Sequence, residues 1–308
     1  MDPCGGENTM DAKVPETLHV DAFQVRFADI ADIDLDKLHA LSIAVGWPHR
    51  AEDWQYLRDL GDGFVALDEI GRVLASTMWF PHGEHFATLG MLITSPRLQT
   101  NGAAKWLMEH VLAECPERVI RLNATRAAKR LYSSLGFVRQ QTVFQCQGEA
   151  LMPREWKELV PGRLLRRLKR DDLDAVVALD APAFAVPRPV HLARLFESSV
   201  CYGLYEGERL CAYSMSRRFG RGQVLGPIVA FDDEDAILVA RPHVEAHAGS
   251  FMRVDTHFET GIFANFVQQC GLSIYDTVTT MTLGEGANYS ARADGRIAMF
   301  ALASQSMG

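Results

Sequence analysis

Residues 99–104, Gln-Thr-Asn-Gly-Ala-Ala, combine small side chains with one glycine just before a long apolar segment. The apolar spacing that follows predicts a helix over 102–115. The first N–H groups of a helix have no partner within it, and the helix dipole adds partial positive charge there. Because Gly102 and Ala104 lack bulk, an anion can approach these N–H groups closely. The segment therefore predicts an anion site, with an ordinary turn as the alternative.

A second stretch that could do chemistry covers residues 128–137 and reads AKRLYSSLGF. It places Tyr132 on a predicted helix that Gly136 ends. A phenol can donate a proton to a group that reacts beside it. Aromatic packing on the helix face is the alternative role for Tyr132.

In this order, the two stretches resemble the signatures of the GCN5-related N-acetyltransferase (GNAT) family. The first signature is filled by Gln99, Gly102 and Ala104. The second is matched by Ala128, Leu131, Tyr132, Gly136 and Phe137. The resemblance covers residues 23–147, and the rest of the chain is more weakly similar to the companion domain of two-domain members.

The resemblance implies a coenzyme and a reaction. Acetyl-CoA would be the co-substrate, and its acetyl group would pass to an amine by direct attack on the thioester. Tyr132 would act as the acid toward the leaving thiolate, and backbone N–H groups at Met91–Leu92 would polarise the carbonyl. The implied coenzyme-binding residues are Met91, Leu92, Ile93, Gln99, Thr100, Asn101, Gly102, Ala103, Ala104, Thr125 and Ala128.

The general base of the family is missing from its usual place. Many members carry a glutamate in the fourth strand, where this chain has Leu89 and Gly90. The nearby candidates for the base are His82, Glu84 and His85, and solvated loop residues are the alternative reading of all three. Because the glutamate is absent, a non-catalytic acyl-CoA-binding sensor is the rival function.

Two further positions depart from the family pattern. Thr125 stands seven residues before the tyrosine, where the family often has asparagine. Asn101 stands where arginine or lysine is common, so one charge that would face a phosphate is absent. We therefore expect a lower coenzyme affinity than is usual in the family.

A regular framework must hold these residues, and the sequence pattern predicts one. A hairpin over 64–80 turns at Asp68–Gly71, and the strand FATLGMLIT follows. The helix over 102–115 comes next, then a short strand, the helix with Tyr132, and a final strand that ends near residue 147.

Several segments recur in order along the chain, for example residues 25–34 with 165–174 and residues 89–94 with 225–230. They predict a duplication, with two unrelated α/β domains as the alternative. The predicted fold class is α/β (α+β), with two tandem GNAT-like domains, each a mixed, mostly antiparallel central sheet flanked by helices. The predicted order is a disordered leader (1–20), a catalytic domain (21–147), a linker (148–161) and a degenerate GNAT-like domain (162–308).

The second copy lacks the features that would hold a coenzyme. Where the first copy has its glycine-containing turn, the second has four carboxylates, Asp232–Asp235, which repel a pyrophosphate. Val267 stands opposite Tyr132. We therefore expect one coenzyme per chain, with the second domain either closing the acceptor pocket or building an oligomer contact. A pair of domains that binds no coenzyme at all is the remaining alternative.

The composition of the chain limits the kinds of molecule that we expect it to bind. A net charge of −8 argues against a general binder of nucleic acid or of anionic membranes. The chain has no run of 18 apolar residues, and its six cysteines form no CxxC pair, which favours a reducing cytoplasm. We expect a cytoplasmic enzyme with a small-molecule amine acceptor, no nucleic-acid, membrane or metal partner, and a homodimer as an option.

Overall fold

The computed structural model describes residues 16–20, 23–96, 98, 102–153, 159–285 and 297–308. The first half of the chain alternates strands and helices. Its elements are β1 (Thr17–Val20), β2 (Phe23–Asp29), α1 (Leu35–Ala44), α2 (Ala51–Arg58), β3 (Asp62–Leu67), β4 (Val73–His82), β5 (Phe86–Thr94), α3 (Ala103–Glu114), β6 (Val119–Ala124), α4 (Lys129–Ser134) and β7 (Val138–Glu149).

The second half repeats this order from β2 onward and then adds one strand. Its elements are β8 (Arg163–Arg167), α5 (Leu173–Phe184), α6 (Pro189–Ser198), β9 (Val200–Glu206), β10 (Arg209–Phe219), β11 (Gly222–Ala230), α7 (Asp233–Ala246), β12 (Phe251–Thr256), α8 (Ile262–Gln269), β13 (Ser273–Leu283) and β14 (Ala298–Ala301). Each element from β2 to β7 thus has a counterpart between β8 and β13, as the internal repeat predicted.

The strands form one large sheet. Their order is β1-β2-β3-β4-β5-β6-β13-β7-β12-β11-β10-β9-β8, and β14 pairs with β11. The pairs β5–β6 and β11–β12 are parallel, and the other described pairs are antiparallel. A mixed, mostly antiparallel sheet flanked by helices confirms the predicted fold class.

The two halves exchange their last strands. Strand β13 of the second half pairs with β6 of the first, and β7 of the first half pairs with β12 of the second. The two exchanged strands also pair with each other. Continuous backbone hydrogen bonding therefore joins the halves, and it fixes their relative position more firmly than a side-chain contact would. The domain bounds drawn from the sequence stay a prediction.

The predicted leader requires one correction. Residues 1–15 lie outside the described part of the chain, but Thr17–Val20 form β1, antiparallel to β2. Leu18 lies opposite Val25 and packs on the buried cluster that contains Trp106. The free edge of β2 and this apolar contact explain why a strand forms here rather than a disordered segment.

Helix α3 packs on the sheet as its apolar spacing predicted. It buries Ala103, Trp106, Leu107, Met108 and Val111. Burying a large apolar side chain contributes about 1.5–3 kcal/mol, so this face fixes the start of α3 relative to β5. None of the helices in the described part is both long and apolar enough to cross a membrane.

Candidate active site

Strand β5 carries a bulge at Met91. Its register with β4 shifts here, so that Met91 and Leu92 together oppose Thr77. Met91 has a φ of 54°, a conformation that residues other than glycine rarely adopt. The Ser76 hydroxyl donates a hydrogen bond of 2.8 Å to the carbonyl oxygen of Met91. A bulge bends its strand and re-aims backbone groups, here at the position predicted to polarise a carbonyl.

Strands β5 and β6 separate at the bulge. Their parallel pairing runs from Phe86↔Val119 to Leu89↔Leu122. On its other side, β6 stays paired with β13 as far as Ala124. A V-shaped gap therefore opens between residues 90–94 and residues 123–125. A cavity of about 290 Å³, called the cleft below, begins in this gap.

Both halves of the chain line the cleft. Five of the predicted site residues are among the lining residues, namely Met91, Leu92, Thr125, Ala128 and Tyr132. The second half contributes Phe219, Arg221, Arg253, Asp255, Gln305 and Ser306. The second half therefore forms one side of the cleft.

Tyr132 lines the cleft from helix α4. It is only 5% exposed, and its ring meets Phe137 edge to face with the centroids 5.6 Å apart. Burial raises the pKa of the Tyr132 phenol above its ordinary value of 10. The phenol is therefore protonated at neutral pH, which is the state that a proton donor requires.

Helix α3, which follows β5 in the chain, begins in the manner of an anion site. Gly102 precedes it with a φ of 80°, and a Cβ added to Gly102 would meet open space. The first turn of α3 carries no acidic side chain, so its N–H groups keep their positive field. Ala103 is buried and Ala104 half-buried. The other predicted loop residues, Gln99, Thr100 and Asn101, lie outside the described residues.

Ile93, also predicted to bind coenzyme, points away from the cleft. It is 2% exposed and packs in the core with Leu38 and Trp54. Alternation along a strand accounts for this, because Leu92 and Ile93 must face opposite sides of the sheet. The backbone of Ile93 still lies on the edge of the gap.

The equivalent gap in the second half is filled by the chain itself. Strand β14 pairs with residues 228–230 of β11. By the internal repeat, these residues correspond to residues 92–94 of β5, which lie beyond the last β5–β6 pair, Leu89↔Leu122. An extended peptide with its amide groups thus occupies the second gap, and this peptide indicates the shape of ligand that fits the first.

The acidic start of α7 is also used internally. Asp232 caps the helix by accepting from the Asp235 N–H at 2.8 Å. Asp235 pairs with Arg163 through two hydrogen bonds of 2.6 and 2.7 Å. Asp233 accepts from the N–H of Phe263 at 3.0 Å. These carboxylates take up the positive field that an anion would need.

The predicted base cluster lies away from the cleft. His82 ends β4 opposite Phe86, which is five residues before Met91, or about 16 Å along an extended strand. Glu84 and His85 are exposed on the turn between the two strands. None of the three candidates His82, Glu84 and His85 lines the cleft, because they lie at the turn of the β4–β5 hairpin and the bulge lies further along β5.

His82 is a buried structural residue. Its ring lies 4.2 Å from that of His191, centroid to centroid, and its Nε2 is 3.1 Å from Thr88 Oγ1. Burial, followed by the nearby His191, Arg188 and Arg121, lowers the pKa of His82 to about 2. The ring is therefore neutral and a weak base.

A histidine that the sequence analysis missed does line the cleft. His49 follows α1 and lies between Trp47 and Phe219, with ring centroids 5.5 and 5.3 Å away. It is 8% exposed, and its buried Nδ1 has no hydrogen-bond partner among the described residues. Burial lowers the pKa of His49 to about 4, against the opposing charge of Asp53, so the ring is neutral at pH 7.

The described side chains that could bind a metal ion do not form a metal-binding group. Across the described ranges, no group of three or more His, Cys, Asp and Glu side chains is arranged to hold a metal ion.

Comparison with known families gives a match in each half. A family model described as an acetyltransferase (GNAT) domain matches residues 63–157. A second model with the same description matches residues 176–293. No sequence among curated proteins matches the chain.

Solved structures share the fold over nearly the whole chain. An acetyltransferase candidate from Pyrococcus horikoshii is 16% identical with a TM-score of 0.73, and the match covers 96% of this chain and 99% of that one. A tandem GNAT protein from the clavulanic acid biosynthesis pathway is 14% identical with a TM-score of 0.61, over 85% and 99%. A GCN5-related N-acetyltransferase from Sphaerobacter thermophilus is 14% identical with a TM-score of 0.57, over 83% and 95%.

Proposed function

We propose that this chain, which belongs to the GNAT acetyltransferase family and contains two of its domains, moves an acetyl group from acetyl-CoA to an amine of a small molecule. The first half would carry the chemistry. One observation carries the proposal: the buried phenol of Tyr132 lines a cleft that opens where β5 bulges away from β6. The phenol of Tyr132 and the backbone at Met91–Leu92 thus line the same cleft.

The features of the first half fit the coenzyme. The start of α3 offers free N–H groups beside Gly102, without a competing carboxylate, and this suits a pyrophosphate. The edge of β5 at residues 92–94 suits the extended pantetheine arm with its two amides. Support for this second point comes from β14, which pairs with the matching edge of β11. Thr125 and Ala128 would line the far side of the arm.

Each group would have a distinct role in the transfer. The amine nitrogen forms a bond to the thioester carbon while the bond from that carbon to sulfur breaks. Backbone N–H groups at Met91–Leu92 would donate to the carbonyl oxygen as it gains negative charge. Tyr132 would donate to the departing sulfur, which otherwise leaves as a thiolate. The proton that the amine loses balances the one that the sulfur gains.

The rival function is binding without chemistry. A specific observation favours it, because β5 has no carboxylate near the bulge and the predicted histidines lie elsewhere. A sensor would bind acetyl-CoA or coenzyme A in the same cleft and release no thiol. The cytoplasmic location and the homodimer both stay predictions.

Release of free thiol from acetyl-CoA tests the proposal. We expect the rate to rise when small primary amines are supplied one at a time from a panel of amino acids, amino sugars and alkyl amines. Coenzyme binding with no thiol release for any amine would favour the sensor. Absence of coenzyme binding would reject both functions.

A further inference from the structure

We infer that residues 302–308, named here the tail segment, form the acceptor-side wall of the cleft and place Ser306 beside the reacting acyl group. Ser306 would then determine which acceptors fit. This inference rests on the proposed function, because it takes the gap beside Met91 as the place of the acyl group.

The tail segment runs from the second gap to the first. It continues directly from β14, which fills the gap of the second half. Leu302 donates its N–H to the carbonyl oxygen of Asp255 at 2.8 Å, and its own carbonyl oxygen covers Gly226 so closely that no Cβ would fit there. Four residues later, Ser306 covers Gly90. Gly226 and Gly90 are the matched glycines of the internal repeat, so one segment crosses the same point in both halves of the sheet.

The contact with Gly90 excludes a side chain, including that of a glutamate, at this position. A Cβ built on Gly90 would lie 2.5 Å from the Cβ of Ser306 and 2.7 Å from its Cα. Real Cβ atoms do not approach other carbons so closely, so position 90 cannot carry a side chain while the tail segment stays in place. Ser306 therefore occupies the space that a side chain at position 90 would fill.

The tail segment is anchored firmly enough to act as a wall. Arg188, which is 1% exposed, donates to the carbonyl oxygen of Gly308 at 3.1 Å. Arg217 donates to the carbonyl oxygen of Ala303 at 3.2 Å. Asn123 of β6 donates to the carbonyl oxygen of Gln305 at 2.8 Å. The buried guanidinium groups of Arg188 and Arg217 are strong anchors, so an acceptor has to fit beside the segment rather than displace it.

Three tail residues, Ser304, Gln305 and Ser306, line the cleft. The Gln305 side chain donates to Gln145 at 3.2 Å and to Asp255 at 3.0 Å, which fixes its orientation. Ser306 is half-buried and lines the cleft one residue away from the bulge at Met91. A short hydroxyl at this place leaves room for a small amine to approach the thioester carbon and excludes bulky ones.

A covalent probe tests the position of Ser306 without knowledge of the acceptor. In Ser306→Cys, the new thiolate can attack the CH₂ carbon of bromoacetyl-coenzyme A, so that a C–S bond forms, the C–Br bond breaks and bromide leaves. The thiol proton goes to solvent. Ser198→Cys is the matched control, because Ser198 is exposed and is not among the cleft-lining residues. The unaltered chain is the blank for its own cysteines, of which the five described are buried.

Intact mass over time gives the result. We expect Ser306→Cys to gain one adduct per chain at least about tenfold faster than Ser198→Cys, because binding raises the local concentration of the reagent. Excess coenzyme A should slow the reaction of Ser306→Cys alone. Equal rates for the two variants, with coenzyme A still bound in calorimetry, would overturn the inference. Failure of the unaltered chain to bind coenzyme A would instead reject the proposed function.

A bulky side chain gives a second readout. Ser306→Trp should lower amine-dependent thiol release by about tenfold or more while coenzyme affinity holds, because the wall would then fill the acceptor side. An unchanged rate in this variant would contradict a role of Ser306 in acceptor choice.

Discussion

The Ser76 hydroxyl supports the backbone of Met91 from the neighbouring strand, through a buried hydrogen bond of 2.8 Å to its carbonyl oxygen. Ser76 is fully buried, and Met91 is held at a φ of 54°. A left-handed conformation in a methionine costs about 1–2 kcal/mol and persists only where neighbours over-determine it. This pair therefore holds the bulge that opens the cleft.

Removing the Ser76 hydroxyl should destabilise the protein. In Ser76→Ala the buried carbonyl oxygen of Met91 loses its side-chain partner, which costs about 1–3 kcal/mol. The free energy of unfolding in urea measures this loss. Ser134→Ala is the control, since that hydroxyl is exposed, and it should change stability by less than about 0.5 kcal/mol. Equal effects of the two substitutions would remove Ser76 as the support of the bulge.

Gly102→Val should weaken coenzyme binding. A β-branched side chain at a φ of 80° strains the start of α3 and covers its N–H groups. Coenzyme A affinity in calorimetry should fall by about tenfold or more, which corresponds to 1.4 kcal/mol.

Gly207→Val controls for strain, because Gly207 has a φ of 59°, equally open surroundings and a place outside the cleft. Its affinity should match that of the unaltered chain. If Gly102→Val bound coenzyme as tightly as this control, the start of α3 would not be the phosphate site.

Calorimetric titration with coenzyme A should give one site per chain. The second gap is filled by β14, and the start of α7 is occupied by its own carboxylates, one of which pairs with Arg163. The affinity of that single site should fall in Gly102→Val. Two equivalent sites would mean that β14 leaves its gap to admit coenzyme.

Stability should fall as the pH drops from 7 toward 4. Burial lowers the pKa of His82 to about 2, and the pKa of His191 and His257 to about 4, against about 6.5 in the unfolded chain. Below pH 6.5 the unfolded chain therefore binds protons that the folded chain does not, so acid favours unfolding. Melting temperatures between pH 7.5 and 5 measure this slope. His191→Gln should make it shallower, and the exposed control His85→Gln should not. A slope that His191→Gln leaves unchanged would show that this histidine is protonated equally in both states.

The repeated elements and the place of Tyr132 could be predicted because each depends on local pattern. Helical spacing set the face of α3, and the glycine at position 136 ended the helix that carries Tyr132. The strand exchange could not be predicted, since β7 and β13 have the same pattern whichever half they complete. The contact between Gly90 and Ser306 could not be predicted either. The repeat matches Gly90 with Gly226, but Ser306 is remote from Gly90 in sequence. His82 was expected near the bulge because it is near in sequence. The extended strand β5 separates the two by about 16 Å, because each residue of a strand adds about 3.3 Å.

Tyr132→Phe tests the central claim most directly, because it removes the hydroxyl that would donate the proton and keeps the ring against Phe137. Thiol release from acetyl-CoA in the presence of an accepted amine should fall by about 10²-fold or more, while coenzyme affinity and stability hold. A Phe variant that releases thiol at the full rate would contradict a catalytic role for Tyr132 and leave it as a packing residue of the cleft.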